Sequence, residues 1–314
     1  MDKKIKNRVI AAAIIIVVIL CYFAIPGKKV SITVQTGEPA SLVAVDLKKN
    51  DLIISKTFFK ALVKITGSSN KLKAGVYEFR KNDSVLNILR ELRSGSKSMI
   101  KITIPEGSTI RQTAEIVAQK TNINKERFIM IAEERQLEGY LMPETYMVTP
   151  LMKEEEIIDM MRREFDRKVT PEMYARAKEL NMPMKKIIIL ASIIEKEAVR
   201  PEERALISSV FHNRLKKGMR LESCATVLYA MGVNKAHLSV EDTKYDSPYN
   251  TYRKYGLPPA PICSPGIESI KAALYPANTS YLYFVASWDG SGSSLFSASL
   301  EGHIKNKRIA KNNR

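Results

Sequence analysis

The stretch Met184–Ala198, MKKIIILASIIEKEA, closes an apolar run on two carboxylates, Glu195 and Glu197. Ile187, Leu190, Ala191, Ile194 and Ala198 recur at i, i+3, i+4, i+7 and i+11, and Ile188, Ile189 and Ile193 widen the stripe. That spacing predicts a helix buried over most of its circumference, opening after Pro183. Glu197 follows Ile194, Ile193 and Leu190 by three, four and seven residues, so it lies on the apolar side. Glu195 is rotated from it by about 200° at roughly 100° per residue. A carboxylic acid carried into an apolar wall resists ionisation. Such an acid can protonate a glycosidic oxygen near neutral pH. A plainer reading is that both acids are solvated or paired with Lys196, Arg200 or Arg204, and these residues alone leave both readings open.

A second stretch with chemical character is Tyr245–Pro265, YDSPYNTYRKYGLPPAPICSP, dominated by proline and tyrosine. A loop of this length is usually functional or disordered, and its aromatics argue against disorder. Tyrosine rings stack on pyranose faces and asparagine amides bond sugar hydroxyls, which suits a glycan groove; a rigid packing loop is the other reading.

Around these two stretches the pattern is α+β. Val30–Val34 alternates as a strand, and Ser41 is a candidate cap for a helix with Leu42, Val45 and Leu47 as its apolar positions. Ser55–Ile65 is helical, Leu72–Phe79 a strand or hairpin, and Ser84 caps a helix carrying Val85, Ile88, Leu89 and Leu92 that stops near Gly95. Ile100–Ile104 is a strand, and Ser108 or Thr109 caps a helix from Ile110 to Lys120. The segments TVQTGEPASLVAVDL and TIPEGSTIRQTAEIVA repeat one scheme of strand, Gly turn and amphipathic helix. Residues 126–134 read as helix and 137–150 as loop. Helical tracts follow at 154–180, broken at Thr170-Pro171, then at 202–216 and 226–231. Ile267–Ala273 is a helix, Ser280–Ala286 a strand and Leu295–Ser297 its return, and the basic tail 305–314 is expected to fray.

The chain has 314 residues, 45% of them hydrophobic, enough for two or three domains. Its formal net charge of +17 points to an anionic partner. No phosphate loop, zinc finger or RNP-like pattern accompanies the charge, and three Cys and three His are too few for a structural metal set, so neither cofactor nor metal is expected. Cys224 and Cys263 could pair. At the N-terminus Lys3, Lys4, Lys6 and Arg8 precede Val9–Ile25, seventeen residues without a charge. This is the short end of a bilayer span, and it lacks a small-x-small cleavage pattern, so a retained anchor with a cytoplasmic N-terminus is expected. The anchor places the basic surface outside the cytoplasm and speaks against a nucleic-acid partner.

The motifs LEGYLMPETY (137–146), LASIIEKEA (190–198), VFHNRLKKGMRLES (210–223), YNTYRKYGLPPAPICSPG (249–266) and AALYPANTSYLYFV (272–285) occur in order over about half the chain. In them the chain resembles the endolytic murein transglycosylases, the YceG-like family. The resemblance implies a single-pass enzyme of the cytoplasmic membrane that faces the cell wall and cleaves the β-1,4 bond between N-acetylmuramic acid and N-acetylglucosamine within a glycan strand. The product ends in 1,6-anhydro-muramic acid and strand elongation stops, with the cell-wall synthases as expected partners. It implies one catalytic Glu in the EKE element. Glu197 is the first choice and Glu195 the second, with Asn213, Tyr249, Asn250, Thr251 and Glu144 as candidates to bind glycan or steady the acid. The implied layout is a cytoplasmic tail at 1–8, a transmembrane anchor at 9–26, LysM-like α+β modules at 30–120, a mainly helical catalytic domain with a small sheet at 121–304, and the basic tail. The sequence departs from the family in having Cys224-Ala225 where Asp-Pro is usual, Ala260 where Gly is frequent and Ser264 where Asn is common. Those departures leave a reading of another class, a catalytically idle peptidoglycan-binding scaffold. A muramidase that uses water is a third reading.

Overall fold

The computed structural model describes residues 27–35, 37–69, 71–95, 99–233, 235 and 238–313. The expected cytoplasmic tail and anchor at 1–26 lie outside the described residues. Among the described residues no helix is long and apolar enough to cross a membrane. The fold is α+β: twelve α-helices and three two-stranded sheets among the described residues. The chain divides into two compact units, the first mainly residues 27–101 and the second mainly 102–119, 123–146 and 153–313.

The first unit runs β1 (Lys29–Val34), α1 (Ala40–Lys49), α2 (Lys56–Ile65), β2 (Gly75–Arg80) and α3 (Val85–Ser94). β1 and β2 pair antiparallel, from Lys29 opposite Arg80 to Val34 opposite Gly75. Alternation sends Ile32, Val34, Tyr77 and Phe79 inward. Phe59 and Val63 of α2 and Ile88, Leu89 and Leu92 of α3 complete the same core. Ser55 and Ser84 cap their helices by accepting the N–H of Phe58 and Asn87. α1 departs from the sequence reading. It starts after Pro39 with no side-chain cap, and it buries Val43, Ala44 and Leu47 while Leu42 and Val45 stay exposed. Leu47 lies about 140° around the helix from Leu42, so the expected trio never shared a face, and the core takes the side of Leu47.

The remaining elements begin with β3 (Ile100–Thr103), which pairs with β4 (Thr145–Val148), a strand inside the segment expected to be all loop. α4 (Ile110–Ala118) opens on a capping box of Thr109 and Gln112. After α5 (Lys125–Glu134), α6 (Glu154–Lys168) and α7 (Pro171–Glu179) comes α8 (Met184–Glu197), the centre of the second core. All eight residues from Ile187 to Ile194 are buried in it. α9 (Arg204–Lys216), α10 (Cys224–Met231) and α11 (Ile267–Leu274) pack around it. β5 (Tyr283–Ala286) pairs antiparallel with β6 (Ser294–Ser297).

The basic tail does not fray: it forms α12 (Leu300–Asn312), which packs on β5 and β6. Ser299 caps it, and the His303 ring stacks on Tyr283 at 5.1 Å. A run rich in Lys hid the helix, because its contacts with the sheet are few and the charged face is solvated. Cys224 and Cys263 do not pair. Both are free, the first exposed and the second buried.

Candidate active site

α8 ends at the two acids, and the 200° between them sends them into different surroundings. The Glu197 side chain meets the first turn of α10. The Ser223 hydroxyl donates to its Oε1 at 2.5 Å, and the backbone N–H groups of Cys224 and Ala225 also donate to the carboxyl. Helix N-termini favour a negative charge, so these donors hold the pKa down. Burial acts the other way and more strongly, and the net effect is a pKa raised above the ordinary carboxyl value. The residue keeps a solvent-facing part although its carboxyl is densely surrounded by protein. An acid whose pKa is raised by burial, on a residue that can be reached from solvent, fits a general acid.

Glu195 is different. Its side chain is buried, Oε2 accepts the N–H of Gly266 at 2.9 Å, and Arg204 lies 3.5 Å from Oε1. Lys196 between the two acids donates to the carbonyl of Gly107 at 3.1 Å. Both contacts of Glu195 tie α8 to neighbouring elements, α9 through Arg204 and the start of α11 through Gly266.

The loop 245–265 supports Glu197 from behind. Thr251 Oγ1 accepts the N–H of Ser223 at 3.0 Å and lies 2.9 Å from the Thr226 hydroxyl, while its carbonyl accepts the N–H of Glu222 at 3.1 Å. Asn250 is wholly buried. Its amide donates to the carbonyls of Thr243 and Tyr245 at 2.9 and 2.6 Å and accepts the Tyr252 N–H at 2.9 Å. Both side chains bond to the protein: Thr251 holds Ser223, and Asn250 holds the loop that carries Thr251. Asn213 is likewise committed, its amide donating at 2.9 Å to the carbonyls of both Thr279 and Tyr281. The Glu144 carboxylate lies 2.5 Å from Lys168, which holds its pKa low. Of the five expected binding residues, Tyr249 lines a cavity, with its ring 5.1 Å from that of Tyr229.

Three residues escaped the sequence reading. Arg214 is buried near the end of α9 and donates to the carbonyls of Leu282, Arg220 and Leu221 at 2.6, 3.0 and 3.1 Å, and to Glu222 at 2.9 Å. It fixes the turn that delivers Ser223. Tyr252 has its hydroxyl 3.1 Å from Cys224 Sγ, and burial, that thiol and the charge of Glu197 raise its pKa. Glu138, in the LEGYLMPETY motif, accepts the N–H of Ile110 at 3.2 Å and the Tyr229 hydroxyl at 3.4 Å. Burial pushes its pKa up to about 7. With Tyr229, Tyr249, Thr109, Arg111 and Gln112 it lines a cavity of about 630 Å³. Its one signal in sequence is the following Gly139, whose φ is +86° and whose added Cβ would fall 2.5 Å from that of Pro261.

The model of the YceG-like family matches residues 32–309. An endolytic murein transglycosylase of Bacillus subtilis is 36% identical over 306 residues, 88% of this chain and 84% of its own length. One of Streptococcus pneumoniae is 30% identical over 321 residues, 89% of this chain but 58% of its own length, so the chain spans little more than half of that relative. A crystal structure of a yceG-like protein from Listeria monocytogenes is 32% identical, with a TM-score of 0.61 over 89% of this chain and 99% of that one.

Proposed function

The chain belongs to the YceG-like family, and from that premise we propose that it is an endolytic murein transglycosylase whose acid is Glu197. The observation that carries the residue assignment is the Glu197 carboxyl itself, resistant to ionisation and held by Ser223 at the start of α10. Protonated Glu197 donates to the oxygen that leaves the muramic anomeric carbon as the β-1,4 bond breaks. As a carboxylate it is stabilised by the Ser223 hydroxyl and the two N–H groups, and it takes the proton of the muramic C6 hydroxyl as that oxygen closes on the anomeric carbon. The nucleophile belongs to the substrate, so no second carboxylate is required to hold a water, and ring closure has the advantage of an intramolecular reaction. Atoms balance: one proton passes from Glu197 to the leaving N-acetylglucosamine and one returns from C6, leaving a 1,6-anhydro end.

We infer further that residues 9–26 anchor the protein in the cytoplasmic membrane with the described units outside the cytoplasm, where nascent strands and their synthases are met. The uncharged run after four basic residues supports this. The β–α–α–β–α first unit is our candidate for a LysM-like module.

The test is mass spectrometry of products from purified glycan strands with wild type, Glu197→Gln and Glu195→Gln. Glu197→Gln is expected to lower kcat by roughly a hundredfold or more, as loss of a general acid does. Glu195→Gln should keep anhydro ends while lowering stability. Anhydro ends that survive in Glu197→Gln and vanish in Glu195→Gln would reverse the assignment. A reducing-end product from the wild type would replace the transglycosylase with a muramidase.

A further inference from the structure

The first unit displays apolar side chains on the side away from its core. Ile54, just before the Ser55 cap of α2, is 92% exposed, Phe58 60% and Ile65 83%. Ala61 is exposed as well. Phe58, Ala61 and Ile65 stand at i, i+3 and i+7, one stripe of the helix, whereas Phe59 and Val63 point into the core. Lys64 stands about 60° around the helix from Ala61 and Lys60 about 100°, on the same side of the stripe, and α2 contains three Lys and no acid. Residues 27–101 hold fifteen Lys and Arg against six Asp and Glu.

Chain connection places this face. The carbonyl of Lys28 accepts the N–H of Lys81 at 3.2 Å, and Lys81 Nζ pairs with Asp51 at 3.0 Å, three residues before Ile54. Lys28, which follows the uncharged run 9–25 in sequence, therefore lies beside the turn that shows Ile54. Asp51, the acid in that turn, is occupied by Lys81.

We propose that the face made by Ile54, Phe58, Ala61 and Ile65, with Lys60 and Lys64 beside it, docks on an anionic lipid bilayer surface. Apolar side chains of a helix lying in the interface enter the acyl boundary while flanking lysines reach the headgroups. Each lysine near an anionic leaflet adds attraction that salt screens. Pairing of two copies through this face would set Lys60 and Lys64 close to their own equivalents, which like charges oppose. The surface holds the first unit against the membrane independently of any anchor and of the glycan chemistry.

The experiment is vesicle co-sedimentation of the chain from Gly27 onward, which retains every residue of both hydrophobic cores. Vesicles of phosphatidylcholine with and without phosphatidylglycerol are compared. Binding is expected with phosphatidylglycerol, weakening as salt rises. The pair Phe58→Ser with Ile65→Ser, and separately Lys60→Glu with Lys64→Glu, should each lower the vesicle partition at least about tenfold. These positions are exposed, and unchanged resistance of residues 27–101 to limited proteolysis verifies that the variants fold. No binding by the wild type, or equal binding by wild type and variants, overturns the proposal. So does a concentration-dependent dimer in sedimentation that the same substitutions abolish, which would assign the face to a second copy. Failure of glycan cleavage with vesicle binding intact would fault the enzymatic reading and leave this one standing.

Discussion

The acid proposed above, Glu197, is poised by opposing influences, and both can be named. Burial raises its pKa; the Ser223 hydroxyl and the N–H groups of Cys224 and Ala225 lower it. Proline has no N–H, so placed at Ala225 it removes one of these donors. Ala225→Pro and Ser223→Ala each remove a donor to the charged form. The sign follows: the carboxylate loses stabilisation, the pKa of Glu197 rises further, and the protonated acid persists to higher pH. The alkaline limb of the pH–rate profile for strand cleavage should therefore move upward in both variants. Ser223→Ala should also lower kcat about tenfold through lost orientation, since a hydrogen bond to a charged group contributes about 1.5–3 kcal/mol. An alkaline limb that stays in place or moves down would show that these donors do not reach the working acid.

At the scale of elements, the start of α4 is held from a distance. Thr109 and Gln112 form its capping box, and Glu138, from a loop 28 residues on, accepts the N–H of Ile110. Burial moves the Glu138 pKa from 4.5 to about 7. Between those values the folded chain binds more protons than the unfolded one, so this group stabilises the fold below pH 4.5 and its contribution is lost as pH rises through 7. The loss is about 3 kcal/mol, at 1.36 kcal/mol per unit. Glu138→Gln keeps the acceptor and removes the titration. Urea unfolding from pH 4 to 8 should then give a flatter stability profile and a variant more stable than wild type at pH 8; an unchanged slope would mean that Glu138 is solvated. Sequence made α8 legible because a continuous apolar run permits one answer, and it made the Ser84 cap legible, and the α4 cap to within Ser108 or Thr109, because each precedes an apolar period; Ser55, read as part of its helix, is the cap of that helix. It did not reveal the roles of Arg214 or Asn250, since a buried Arg on four carbonyl and carboxylate oxygens carries no local pattern, and an Asn in a tyrosine-rich loop bonds main chain as readily as sugar. The rotation of α1 was hidden because either face of that helix is apolar enough to pack.

At the scale of the whole molecule, two hydrophobic cores among the described residues have no residue in common. One is built from residues 30–92, the other from residues 140–296. Glu197, Ser223, Asn250, Thr251, Arg214 and Tyr252 all belong to the second unit. If chemistry needs only that unit, damage to the two cores should separate. Phe59 and Phe211 are among the largest wholly buried side chains, one in each core. Replacing either with Ala removes a ring and leaves a cavity, at a cost of about 3–5 kcal/mol. Phe59→Ala should expose the first unit to limited proteolysis, with cuts confined to residues 27–101, and should leave the production of anhydro ends from soluble strands near the wild-type rate. Phe211→Ala should melt the second unit early and abolish cleavage, because α9 carries Arg214 and through it the turn that delivers Ser223 to Glu197. Loss of cleavage in Phe59→Ala, with the second unit still resistant to protease, would mean that the first unit supplies part of the glycan groove and that the catalytic machinery is larger than the residues around α8.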